Sequence, residues 1–253
     1  MRQVLKTIIA TGMSAVTLAG ALPAQAAVVV AGTRVIYRAE DPEATVKISN
    51  QGDTPALAQT WIDKGDPKAA PSSIDVPFTV TPPVARIDQG KAQTLRILHT
   101  GEPLPTDKES VFWLNVLEVP PKPARDEASQ NHMQVAIRTR VKLFFRPDGL
   151  AGNAAEAPSQ LTWRLTQTSA EGKSLPAVEV HNPSPYYVSL SLVETIDGNR
   201  TASFKDGGMV GPGETKAFPL TGDVPQGQQA KVQYRAISDQ GGSIGGEAAL
   251  SVR

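Results

Sequence analysis

The feature that most constrains this chain is a period of two in its apolar residues. Val46 and Ile48 alternate with Thr45, Lys47 and Ser49, and Leu161, Trp163 and Leu165 alternate with Thr162, Arg164 and Thr166. Val188, Leu190 and Leu192 repeat the pattern, as do Val232, Tyr234 and Ala236. Successive side chains on a strand point to opposite faces, so each run offers one face to a core and one to water. Turn-forming clusters separate the runs: Asn50-Gln51-Gly52-Asp53, Pro82-Pro83, Gly207-Gly208, Gly211-Pro212-Gly213 and Gly241-Gly242. No segment keeps a helical period over three turns. Many short half-buried strands joined by turns predict an all-β chain built from packed sheets.

Not all of the 253 residues belong to that fold. Residues 1–26 begin with Arg2 and Lys6, run apolar from Ile8 to Leu22 and close on Ala24-Gln25-Ala26. A basic start, a short hydrophobic stretch and a small-x-small site predict a secretory signal peptide, with cleavage after Ala26. The apolar run is interrupted by Gly12, Gly20 and Pro23, which argues against a membrane anchor, and no later run is long enough to span a bilayer. Removing Arg2 and Lys6 from 25 basic and 25 acidic side chains leaves a formal charge of −2, so no basic field is available for nucleic acid. The chain has no cysteine, which excludes disulfides, thiolate metal sites and cysteine nucleophiles. Residues 147–159 have only Leu150 as a large apolar side chain. The expected organisation is therefore a first domain at 27–148, a linker at 149–159 and a second domain at 160–253, each the size of one immunoglobulin-like β-sandwich.

One predicted strand is unusually long. Met133 to Phe145 contains neither Gly nor Pro. Fully extended it would reach roughly 43 Å, against about 5–6 residues for a common strand. Met133, Val135, Ile137 and Val141 are apolar, whereas Gln134, Arg138, Arg140 and Lys142 are polar or charged. Two readings stay open on the residues alone. The strand is a long central one serving its own core, or it is an edge strand holding surplus apolar side chains for another molecule. A long exposed edge invites aggregation, so the second reading requires that pairing with a partner be its use.

Upstream lies LPTDKESVFWLNVLEVPP, residues 104–121. This segment resembles the signature of the PapD-like periplasmic pilus-assembly chaperones at Leu104, Pro105, Asp107, Lys108, Glu109, Ser110, Trp113, Asn115, Val119 and Pro120. KLFFRP (142–147), Thr33-Arg34, HNPSPYYVSL (181–190) and SDQGG (238–242) resemble further family segments, in order, over nearly the whole chain after residue 26. The resemblance implies two immunoglobulin-like domains in a boomerang arrangement, located in the periplasm. It implies a non-enzymatic chaperone without cofactor, metal or catalytic residue. Its partners would be pilus subunits, incomplete sandwiches lacking their last strand, and an outer-membrane usher.

The resemblance also implies roles for particular residues. Met133, Val135 and Ile137 would be donor-strand side chains, each contributing about 1.5–3 kcal/mol when well buried in a client. Arg34 and Lys142 would grip the client's C-terminal carboxylate; composition alone leaves them as surface cations. Glu109, Arg146 and Asp239 would form an interdomain ion network. The segment 122–132, KPARDEASQNH, has no alternating large apolar side chains, which places the chain with short-loop members of the family.

Other chemistry finds little support. His99, His132 and His181 have no metal-ligand spacing, no G-x-S-x-G surrounds a serine, and the glycine-rich stretches lack a phosphate-loop pattern. The competing reading is a two-domain immunoglobulin-like fibre subunit or adhesin, which does not require the 104–121 pattern before a long alternating strand.

Overall fold

The computed structural model describes residues 27–119, 135–170, 172–225, 227 and 229–251. The expected leader at 1–26, the donor residue Met133 and the polar stretch 122–132 lie outside the described residues. Among the described residues nine strands make the first unit: β1 (Val28–Val30), β2 (Arg34–Arg38), β3 (Ala44–Asn50), β4 (Ala56–Asp63), β5 (Phe78–Thr81), β6 (Val84–Ile87), β7 (Ala92–His99), β8 (Ser110–Val119) and β9 (Ile137–Arg146). They form two sheets, ordered β1-β3-β7-β5 and β2-β9-β8-β4-β6. The alternation seen in the sequence explains the core between them. Ile48, Leu95 and Ile97 from one sheet meet Leu114 and Leu143 from the other, and all five are fully buried. Aromatic rings close one region of this core, with Phe78 and Phe112 centroids 4.9 Å apart and Tyr37 and Phe145 beside them.

Nine more strands make the second unit: β10 (Thr162–Ala170), β11 (Lys173–His181), β12 (Val188–Asp197), β13 (Arg200–Phe204), β14 (Gly208–Val210), β15 (Thr215–Pro219), β16 (Thr221–Gly222), β17 (Lys231–Ile237) and β18 (Ser243–Ala249). One sheet runs β10-β11-β15; the other runs β16-β13-β12-β17-β18, with β14 also on β12. Val178, Val180, Val193 and Val232 fill the space between, and Trp163 stacks on Tyr234 at 5.4 Å. The chain is thus all-β, with two sandwiches and two separate cores. The only helical turns among the described residues are Pro71–Ser73 and Ala157–Gln160.

Three sequence expectations need correction. The run Val188, Leu190, Leu192 does not keep one face. The pairing of β12 with β17 shifts register between Leu190 and Leu192, after which Val193 and Thr195 are buried and Leu192 is only half-buried. An irregularity of one residue reverses the phase of every side chain that follows. Secondly, the segment 149–159 is not a free connector: Ala157 is fully buried, and Leu150 and Ala154 pack on the second core. Small side chains suffice to close the end of a sandwich, so composition alone did not reveal the packing. Thirdly, among the described residues the long strand starts at Ile137. Val135 and Ala136 precede it without strand pairing, because its last partner on β8 is Glu118 opposite Ile137.

Candidate functional site

Strand β9 has two unlike halves. From Lys142 to Arg146 it lies between β8 and β2, and β2 pairs with it in parallel, Arg34 opposite Lys142 through Arg38 opposite Arg146. From Ile137 to Val141 only β8 pairs with it among the described residues. The other edge of that half has no strand among the described residues, so its backbone groups could pair with a further strand. The side chains point accordingly. Val141 and Leu143 enter the core, Ile137 is half-buried where the core ends, and Val135, just beyond it, is 58% exposed. A large apolar residue left in water beside an open sheet edge has the composition of a docking position.

The two cations of the site stand where the open edge gives way to the covered one. Arg34 is the first residue of β2 and Lys142 is its register partner. Both lie on the outer face of their sheet, and both reach the second domain: Arg34 Nη1 donates to the Ile237 carbonyl at 2.8 Å, and Lys142 Nζ donates to Ser189 Oγ at 3.2 Å. Arg34 Nε is buried and has no hydrogen-bond partner among the described residues. A buried donor without an acceptor carries a desolvation cost that an oxygen ligand would remove. Burial lowers the Arg34 guanidinium below its ordinary value, opposed by Asp239 and Glu109. Lys142 is pushed down to about 8, first by burial and then by the neighbouring cations Arg34 and Lys216. Two half-desolvated cations side by side favour an anion between them.

Glu109, Arg146 and Asp239 meet across the domain junction. Arg146 Nε donates to Glu109 Oε1 at 2.7 Å, and its two terminal nitrogens hold Asp239 at 2.7 and 3.1 Å. Glu109 is 3% exposed, and its other oxygen accepts from the Tyr187 amide at 2.7 Å. Burial pushes the Glu109 carboxyl above its ordinary range, and the Arg146 and Tyr187 donors oppose that shift. Burial also disfavours the Arg146 charge, but the hydrogen bonds to Asp239 and Glu109 outweigh it and hold the guanidinium above its ordinary value. The loop carrying Asp239 comes close to the first domain because Gly241 adopts φ +83° and has no side chain: a Cβ there would lie 2.8 Å from Thr33 Oγ1.

A fourth group escaped the sequence reading. Arg140 Nη2 lies 2.7 and 2.9 Å from the two oxygens of Asp63, and Arg140 Nε donates to Asn115 Oδ1 at 3.1 Å. Asn115 Nδ2 in turn donates to Asp63 at 2.7 Å, and the Arg140 guanidinium lies over the Trp113 ring. Asp63 and Asn115 are buried, so a complete polar network crosses β4, β8 and β9. The available signal was an aspartate ending an apolar strand, ALAQTWID, together with an asparagine inside FWLNV.

The arrangement offers a strand edge, apolar side chains and two neighbouring, half-buried cations. Among the described residues no group of three His, Cys, Asp or Glu is placed to hold a metal, and no helix is long and apolar enough to cross a membrane. The family described as "Pili and flagellar-assembly chaperone, PapD N-terminal domain" matches residues 27–151, and "Pili assembly chaperone PapD, C-terminal domain" matches residues 156–248. The probable fimbrial chaperone YadV of Escherichia coli K12 is 47% identical over 229 residues, covering 88% of this chain and 89% of that protein. The crystal structure of the YadV chaperone superposes with a TM-score of 0.75 at 41% identity, over 89% of this chain and all of that one. A chain from the solved complex of the Salmonella enterica SafA pilin with the SafB chaperone has a TM-score of 0.70 at 27% identity, over 90% and 99% of the two chains. Two-domain coverage, sequence identity and shared fold lead to one conclusion: this chain belongs to the PapD-like family of pilus-assembly chaperones, a chaperone family and not an enzyme family.

Proposed function

We propose that this protein is a periplasmic chaperone that captures pilus subunits by lending them the open half of β9. The observation that carries the reading is the meeting of the unpaired edge of Ile137–Val141 with the paired cations Arg34 and Lys142. A client strand adding to that edge gains main-chain hydrogen bonds, as in other strand-addition complexes. If it runs parallel to β9, as β2 does, its C-terminus arrives at Lys142, where Arg34 Nε and the Lys142 ammonium meet its carboxylate. Met133, Val135 and Ile137 fill alternate pockets of the client's open groove. The charge pair sets register, because a slip of one residue would turn every apolar side chain to the wrong face. Glu109, Arg146 and Asp239 hold the two domains at the angle that keeps Ser189 and Ile237 beside the cations.

The SafB chaperone, whose solved complex contains a pilin, supports subunits of that kind as the client. Export directed by residues 1–26 places the chaperone in the periplasm, and an outer-membrane usher receives the captured subunit. The test is co-export with a pilus subunit encoded beside the chaperone. Arg34→Ala and Lys142→Ala are expected to abolish protection of the subunit from proteolysis, while circular dichroism of the chaperone is unchanged. Full protection by the double variant would overturn the anchor assignment.

A further inference from the structure

We propose that Lys216, contributed by the second domain, is a third cation of the Arg34–Lys142 site and sharpens its choice of a carboxylate-ended chain over a neutral one. This rests on the carboxylate reading above and adds a residue to it. A short series of contacts places Lys216 there. Lys142 Nζ is 3.2 Å from Ser189 Oγ on β12, and Ser189 is the register partner of Met209 on β14. Lys216 Nζ, from β15, donates to the Met209 carbonyl at 3.2 Å. Lys142 and Lys216 therefore approach one small patch from opposite domains.

The Lys216 side chain is guided rather than buried. It runs beside the ring of Phe218, two residues along the same face of β15, with its ammonium 5.8 Å from the ring centroid, and it remains exposed. Its field nevertheless reaches Lys142, whose ammonium it disfavours together with burial and Arg34. Lys142 has no acidic neighbour acting on it among the described residues. The nearest carboxylates on the Arg34 side, Asp239 and Glu109, are already engaged by Arg146. Lys142 is repelled by Arg34 and by Lys216, and an anion arriving beside it relieves both pairs. An exposed lysine adds selection and attraction more than tight binding.

The site is best read with a small carboxylate. Reductive ¹³C-methylation keeps lysine charges and makes Lys142 visible by NMR, so sodium acetate and neutral acetamide can be titrated into the full mature protein. Acetate is expected to move the Lys142 signal, and acetamide is expected to leave it unmoved. Lys216→Met should weaken acetate binding about two- to fivefold, the range for one partly exposed charge. In the same variant the Lys142 titration midpoint should rise from about 8 towards the ordinary lysine value of 10.5. Arg34→Ala should weaken acetate binding more than Lys216→Met does. Unchanged acetate binding and an unchanged Lys142 midpoint in Lys216→Met, with loss in Arg34→Ala, would overturn the role of Lys216 alone. Failure of acetate to move Lys142 in the wild type would overturn the carboxylate reading and this inference with it.

Discussion

The middle of β9 and its C-terminal end treat outward-facing cations in opposite ways. At the end, Arg146 is enclosed by Glu109 and Asp239, each at 2.7 Å. Six residues earlier, Arg140 is held by the buried carboxylate of Asp63. Lys142 lies between them on the same face and receives only a hydroxyl, Ser189, with Arg34 as its cross-strand neighbour. Of these three cations, folding neutralises two and leaves one among like charges. A structural cation is satisfied within the chain, whereas a binding cation keeps an electrostatic deficit that its ligand makes good.

The largest test of that contrast is Arg146→Met. It leaves Glu109 buried without its main partner and is expected to destabilise the protein by about 3–5 kcal/mol in chemical denaturation. A loss under 1 kcal/mol would place Arg146 with the solvated cations and dissolve the comparison. Asp63→Asn comes next: it keeps the shape but weakens the charge-assisted bonds to Arg140, for an expected loss of about 1.5–3 kcal/mol.

Lys142→Met should have the opposite sign, raising stability at neutral pH by about 1 kcal/mol once solvent screening is allowed for, while client capture is lost. The pH dependence follows from the same shift. Lys142 titrates near 8 in the folded chain, below the ordinary 10.5, so between these values the unfolded chain binds more protons. Stability contributed by this group therefore rises with pH across that window, and the rise should vanish in Lys142→Met. Denaturation midpoints of both proteins from pH 7 to pH 10.5 measure it. A rise of the same size in the variant would assign it to another group.

The smallest stability effect is expected at Val135→Ala. The residue is 58% exposed, so folding stability should change by less than about 0.5 kcal/mol. On the proposed function, co-purification of a pilus subunit should nevertheless fall, because the exposed side chain would be buried by the client. Loss of stability together with unchanged capture would move Val135 into the chaperone's core.

Much of this was legible along the chain. Alternation at Val46 and Ile48, or at Val232, Tyr234 and Ala236, needs only neighbouring residues to be recognised, because strand periodicity is local. The family-like segments Thr33-Arg34, 104–121, 142–147 and 238–242 pointed to Arg34, Glu109, Lys142, Arg146 and Asp239 as residues of interest. The sequence could not show what each of them touches. Arg140 meets Asp63 across 77 residues, Arg146 meets Asp239 across 93, and Arg34 reaches Ile237 across 203. Nor could it show that β2 begins only at Arg34, so that among the described residues no strand flanks the other side of Ile137–Val141, or that a lysine on β15 acts on one on β9. Periodicity and turn chemistry are properties of adjacent residues and are written in their order. Whether a charge is neutralised, and whether a strand edge is covered, depends on which distant segments fold against it, and that is a property of the packed chain alone.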